Sequence, residues 1–339
     1  MTESMAFFIP DDGLIRLLDD ISKKLPVIAP QRIRRPDNRD DFISYIPLGR
    51  GAVDIDSRTL LSSKNISFPN SEMILQFSRS DNEITMKSEV KSGEKVLFGI
   101  RNCDLNALSR LDKLFDWDYK DEFWFSKRNN TTYVVNLCTK PLDNRCFCNW
   151  VGVNPVGVDL ADCAILKVEG GYLLWQITDK CGAIINEIKR NSSKEVEIPE
   201  IKADSFGEAP PIDGSHDALF NIFIDDVWKM IEPACIGCGI CTFICPTCHC
   251  FEIQDEGALR VRFWDYCTGA EFTRASAHQP RPLQYARYRQ RVMHKFSYYP
   301  RRFGTIGCVG CGRCVSECPQ NIDIREDIQK LLRVANIVK

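Results

Sequence analysis

Cys235-Ile-Gly-Cys238-Gly-Ile-Cys241-Thr-Phe-Ile-Cys245-Pro246 returns, nearly letter for letter, as Cys308-Val-Gly-Cys311-Gly-Arg-Cys314-Val-Ser-Glu-Cys318-Pro319. Each copy reads C-x2-C-x2-C-x3-C-P, the spacing by which thiolates grip a cubic iron–sulfur cluster. Three thiolates two residues apart wrap one corner of a small cube if the backbone between them is compliant. Gly237, Gly239, Gly310 and Gly312 supply that compliance, because glycine tolerates positive φ and lets the main chain come close. In two-cluster ferredoxins the fourth cysteine of each run ligates the other cube. The expected sets are therefore Cys235, Cys238, Cys241 and Cys318 on one [4Fe-4S] cluster, and Cys245, Cys308, Cys311 and Cys314 on the second. Zinc sites favour two pairs over a triple followed by Cys-Pro. The triple Cys241-x3-Cys245-x2-Cys248 has the radical S-adenosylmethionine spacing, but it overlaps the stronger pattern and only 91 residues follow it.

Outward from these runs, 339 residues suggest two domains or three small ones. A net charge of −2 argues against bulk nucleic-acid binding, and a hydrophobic fraction of 44% is ample for a core. No apolar run reaches membrane-spanning length, and Met1 to Pro10 lacks a basic region followed by a hydrophobic stretch, so a cytoplasmic location is expected. Seventeen cysteines suit metal ligation better than disulfides, which belong to small secreted chains.

Upstream, Asp11 to Leu25 has helical spacing, and Phe42–Ile46, Met73–Phe77 and Glu83–Met86 read as strands. The first 94 residues carry no visible chemistry and are read as scaffold or partner surface. Lys95–Ile100 is an apolar run fit for a buried strand. It leads into Arg101-Asn-Cys103-Asp104, where Asp104 is placed to cap a helix bearing Leu105, Leu108, Leu111 and Phe115. A second such strand, Tyr133–Leu137, ends in Cys138. Strand, helix, strand implies a parallel pair with a right-handed crossover. Cys103 and Cys138 then both lie at carboxyl ends of strands, where open α/β sheets bind ligands, and a loop adds Cys146 and Cys148. These four thiols make a possible third [4Fe-4S] cluster; the rival reading is small buried hydrophobes.

Cys163–Ile177 reads as a hairpin turning at Gly170-Gly171, with Cys163 and Cys181 unliganded. Asn191 to Gly214 is the best linker. Leu219, Phe223, Val227 and Met230 follow as one amphipathic helix stopped by Pro233. The expected fold is α+β: an N-terminal α/β domain (1–215) with a partly parallel sheet, then a mainly helical dicluster ferredoxin-like domain (216–339). The 62 residues between the runs hold Cys248, His249, Cys250 and Cys267, read as packing, with substitution for a ligand or covering of a cluster as the alternative. From Phe272 to Ser316 there is no acidic residue among many arginines; they offset cluster charge, or serve an acidic partner or RNA. Arg313, between two ligands, either tunes a cluster or is a solvated charge. Asp323 with Glu326 caps a last helix burying Ile328, Leu331, Leu332 and Val338.

Phe98-Gly-Ile-Arg-Asn-Cys-Asp-Leu105, Asn144-Arg-Cys-Phe-Cys148, Cys245-Pro-Thr-Cys-His-Cys250, Trp264-Asp-Tyr-Cys267 and Phe303-Gly-Thr-Ile-Gly-Cys-Val-Gly-Cys-Gly-Arg-Cys314 together resemble one family. It is the iron–sulfur β subunit of cytosolic sulfhydrogenases, a family also represented by the matching component of anaerobic sulfite reductase. Tyr288-Arg-Gln290 and His294-Lys295 extend the match. The family pattern has proline where this chain has Asn102. The resemblance implies an electron-transfer subunit with no independent active site. Its partners would be an FAD- and NAD(P)-binding subunit, together with a catalytic redox subunit of hydrogenase or sulfite-reductase type. One rival is a reductase with its own flavin or substrate pocket in the N-terminal domain, although no G-x-G-x-x-G follows a strand. Another is a nucleic-acid-associated iron–sulfur protein.

Overall fold

The computed structural model describes residues 5–35, 40–80, 83–90, 92–190, 194–204, 206–231 and 234–337. The chain begins with β1 (Met5–Pro10) and α1 (Gly13–Ser22), whose Leu14, Leu17, Leu18 and Ile21 share one buried face. Then come β2 (Val27–Ile33), β3 (Phe42–Pro47), β4 (Ala52–Val53) and the single turn α2 (Lys64–Ser67). β5 (Ser71–Ser80) and β6 (Glu83–Lys87) pair with each other away from the main sheet. β7 (Lys95–Arg101) is the apolar run read from the sequence, with Val96, Leu97, Phe98 and Ile100 fully buried. Burying each such side chain contributes about 1.5–3 kcal/mol.

From β7 the chain passes through α3 (Asn102–Phe115) and α4 (Glu122–Asn129) into β8 (Thr131–Asn136), which lies parallel to β7. The expected crossover is therefore present. β9 (Cys163–Val168) and β10 (Gly171–Gln176) form the expected hairpin, with Gly170 in the left-handed region at its tip. α5 (Gly182–Arg190) and β11 (Lys194–Glu197) complete the first half. The strands run β11-β1-β10-β9-β8-β7-β2-β3, with β4 paired to β2. The block β2, β7, β8, β9 is parallel and the rest antiparallel. α1 and α5 cover one face, and α3 with α4 covers the other.

The second half comprises α6 (His216–Asn221), α7 (Val227–Ile231), α8 (Ile240–Phe243), β12 (Phe251–Glu256), β13 (Leu259–Trp264), α9 (Gln284–Met293), a π-helical turn (His294–Tyr298), α10 (Tyr299–Phe303), α11 (Arg313–Ser316) and α12 (Ile324–Val334). The architecture is thus α+β, a partly parallel α/β region followed by a mainly helical, cysteine-rich, ferredoxin-like region. The hairpin β12–β13 does not stay within its own half. β13 pairs antiparallel with β5, giving a second sheet ordered β12-β13-β5-β6.

Three local readings are corrected. The single helix expected over Leu219–Met230 is two, α6 and α7, because the Asp225 carboxylate accepts from Val227 N at 2.8 Å and starts a new turn. Met230 is 72% exposed as a result. The expected linker contains β11, whose polar Lys-Glu-Val-Glu pattern hid a strand paired to β1. Asp104 lies inside α3 and caps nothing; Arg101 precedes the helix without a side-chain cap. Asn102 takes the family's proline position at the helix start, and its amide donates to Pro155 O (2.9 Å) and Gly157 O (2.8 Å). Asn191–Ser193, Pro233 and Val338 lie outside the described residues.

Candidate metal centres

The first thiol run forms a loop in which Gly237 (φ +69°) and Gly239 (φ +77°) turn the chain so that α8 starts at Ile240. Cys235, Cys238 and Cys241 line one cavity, and Cys318 reaches it from the second run. Gln284 Nε2 donates to Cys235 Sγ at 3.2 Å. Cys245 sits elsewhere, among Cys308, Cys311 and Cys314, each close enough to feel its charge. The Cys248 thiol and Lys295 hold Cys245 well below the usual thiol value. Cys314 also borders the first cavity.

The second run lies flat against the loop carrying Cys146 and Cys148. Gly310 (φ +62°) allows this, since a Cβ there would collide with Phe147 O. Phe147 N donates to Gly310 O at 2.9 Å. Beyond that contact, Cys103 in the first turn of α3, Cys138 after β8, and Cys146 and Cys148 line one cavity, which Cys311 also borders. The two thiols expected at strand ends and the two expected on the following loop thus line the same cavity. Burial pushes Cys103 well above the usual thiol range and Cys148 up to about 12. As bare thiols they would be neutral; as metal ligands they would be deprotonated outright.

The cations present fit an anionic group in these places. Arg58 Nη2 lies 3.0 Å from Cys146 Sγ and Arg101 Nη1 3.4 Å from Cys138 Sγ. Lys295, 3% exposed, donates to Cys245 Sγ at 3.2 Å and to Thr247 Oγ1 at 2.8 Å. Burial works to lower its pKa, but the negative charge at Cys245 and its neighbours outweighs that and holds it above the usual lysine value. Arg291, four residues earlier on the same face, lines the first cavity. Among the described residues neither Arg291 nor Lys295 pairs with a carboxylate. A buried cation without an anion is costly; thiolates carrying a soft metal would complete the balance.

Arg313 is 3% exposed and binds the Asp104 carboxylate through both nitrogens, at 2.6 and 2.8 Å. It also donates to Thr59 O at 2.9 Å. It is a buried pair between Cys103 and Cys311, which corrects the solvated-charge reading. Several arginines of the acid-free stretch are engaged within the protein. Arg287 donates to Arg281 O and Pro282 O, Arg289 stacks on Phe223, Arg301 covers Phe220, and Arg302 covers Trp117. They offer RNA little that is free. Arg58, Arg101 and Lys64 escaped the sequence reading, Arg101 despite standing two residues before Cys103.

Cys163 and Cys181 form a disulfide behind the sheet, apart from every thiol group above.

Residues 234–322 match the model of the 4Fe-4S dicluster domain family. Over 285 residues, 79% of this chain and 81% of the relative, the sequence is 31% identical to the β subunit of sulfhydrogenase 2 from Pyrococcus furiosus. No solved structure matches the chain.

Proposed function

Because the chain belongs to the family of iron–sulfur β subunits of sulfhydrogenases, and is an iron–sulfur electron-transfer subunit, we propose that it relays electrons between two partner subunits. One would handle FAD and NAD(P)H. The other would carry catalysis of hydrogenase or sulfite/sulfur-reductase type. The proposed ligand sets are Cys235, Cys238, Cys241 and Cys318; Cys245, Cys308, Cys311 and Cys314; and Cys103, Cys138, Cys146 and Cys148. The division at 215/216 into an α/β domain and a helical dicluster domain belongs to the same proposal. So does a cytoplasmic location; among the described residues no helix is long and apolar enough to cross a membrane.

One observation carries the reading. The three thiol groups share walls in series, since Cys314 borders the first cavity and Cys311 the third. Cys245 and Cys308 of the middle group are buried and Cys311 and Cys314 half-buried, while Cys238 is exposed at one end.

Bound clusters would supply one-electron storage at potentials that the protein sets by charge, hydrogen bonds to sulfur and solvent exposure. The chain's own side chains do that setting. Arg58, Arg101 and Gln284 donate to thiol sulfurs, and Lys295 places a positive charge against Cys245. Each favours the more negative, reduced state. Val309, Leu331 and Leu332, at most 1% exposed, share one apolar core cluster with Cys308.

Iron per chain and low-temperature EPR on anaerobic protein test this. About twelve irons support three cubes, whereas about eight remove the set on Cys103, Cys138, Cys146 and Cys148. Colourless folded protein would refute the relay. A flavin spectrum from the chain alone would favour the reductase reading instead.

A further inference from the structure

The first cavity opens at the surface, and its mouth is apolar. Ile236 is 63% exposed, Cys238 and Ile240 are exposed beside it, and all three line the cavity. Leu283, 56% exposed, stands one residue before Gln284. The Gln284 amide reaches Cys235 Sγ at 3.2 Å and lies against Gly237. Pro319 and Gln320, exposed and uncharged, border the cavity from the second run. Single exposed aliphatic side chains are ordinary. Three grouped around an exposed thiol mark an interaction site.

Charge says what the site takes. Of the residues lining the cavity only Arg291 is charged. Neither 234–251 nor 272–316 contains an acidic residue. Glu271, just outside the second stretch, is matched by Arg274 at 3.0 Å. Arg287 donates to Gln284 Oε1 at 2.6 and 3.0 Å and to the Arg281 and Pro282 carbonyls at 2.8 Å. Those acceptors are neutral, so the hydrogen bonds fix the guanidinium without cancelling its charge. Among the described residues neither Arg281 nor Arg287 pairs with a carboxylate. The mouth is thus apolar at its centre and cationic on the Leu283 side.

We propose that this mouth is the docking surface for an electron-carrying protein whose contact face is apolar at its centre and acidic at its rim. The proposal rests on the relay reading, and adds where the carrier meets the chain and what it must present. Transient redox encounters bury less than about 1,200 Å², so a small patch is enough. Aliphatic contact excludes water between the two redox centres, while Arg281 and Arg287 steer the acidic rim. One electron leaves the reduced first cube for the carrier's acceptor; no bond forms or breaks and no proton moves. A second copy fits this surface less well, since two-fold docking sets the same patch against itself and cation against cation.

Full-length anaerobic protein, reduced with dithionite and then freed of it, is mixed in stopped flow with oxidised plastocyanin, an acidic copper carrier, or oxidised cytochrome c, a basic haem carrier. Each takes one electron and no proton. Plastocyanin should reoxidise the chain faster, and its rate should fall as salt rises. Leu283→Glu and Arg281→Glu should each slow it by about tenfold, with iron content and the EPR of the first cube unchanged. Arg281→Glu should instead speed cytochrome c. If Leu283→Glu loses iron, Arg281→Glu decides the matter alone. Plastocyanin rates that ignore both variants would overturn the proposal. So would a concentration-dependent dimer that Leu283→Glu abolishes while carrier rates stay the same, which assigns the surface to a second copy. A chain that dithionite leaves unreduced fails the relay reading itself, before any carrier is added, and the docking surface falls with it.

Discussion

Arg313 stands between Cys311 and Cys314 in sequence and points away from solvent into Asp104. The pair is stabilising only while both partners remain, because removing one leaves a buried uncompensated charge. Arg313→Ala should therefore cost about 3–5 kcal/mol, read as a lower urea midpoint of the anaerobic holoprotein. Arg313→Lys keeps the charge but loses the two-pronged geometry, and should fall between. Cys318→Ser tests the crosswise pairing: about four irons should be lost with the EPR signal of the first cube, while the second cube survives. Survival of the first cube with loss of the second would reverse the assignment. The thiols of both runs were legible because their spacing is short-range chemistry written in consecutive residues. Arg58 and Lys64 were not, since folding brings Arg58 to Cys146 across 88 residues and Lys64 to Cys248 across 184.

At the scale of elements, the two glycine loops look alike in sequence and differ in what they touch. A Cβ on Gly237 would meet the Gln284 side-chain amide at 2.9 Å, and a side chain can yield. A Cβ on Gly310 would run into the backbone of Phe147 and Cys148, and that backbone also holds the third thiol group. Left-handed backbone adds about 1–2 kcal/mol for any L side chain at either site. Gly310→Ala should thus lower iron content by more than one cube and Gly237→Ala by at most one. Equal losses would show that the loop contact does not couple the groups. Strands β7 and β8 were readable as apolar runs, and their parallel order followed from the helix between them. The break between α6 and α7 was not readable, because the apolar spacing runs straight through it and only the Asp225 cap interrupts it. β11 failed for the opposite reason: its pairing to β1 is a backbone matter, and its side chains carry no apolar alternation.

For the whole molecule, the hairpin β12–β13 decides how the two halves depend on each other. Arg262 on β13 is 5% exposed and reaches Glu72 on β5 and Asp121 ahead of α4, each at 2.5 Å, while Lys127 on α4 shares Glu72. Two carboxylates from the first half thereby hold one strand of the second. Sequence patterning showed the insert's length but not this reach, because long-range strand pairing leaves no local signature. The segment is therefore expected to depend on the first half for its folding. Residues 216–339 expressed alone would expose the β13 edge and leave Arg262 without either of its carboxylates. Such a segment should retain less iron after anaerobic reconstitution than the full chain and unfold at lower urea. Glu72→Ala in the full chain isolates the ionic part. Removing one partner of a buried network costs about 3–5 kcal/mol, and the loss should appear in the same urea midpoint. If the isolated segment matches the full chain in both iron and midpoint, the shared sheet is dispensable and the relay's second half folds by its cubes alone.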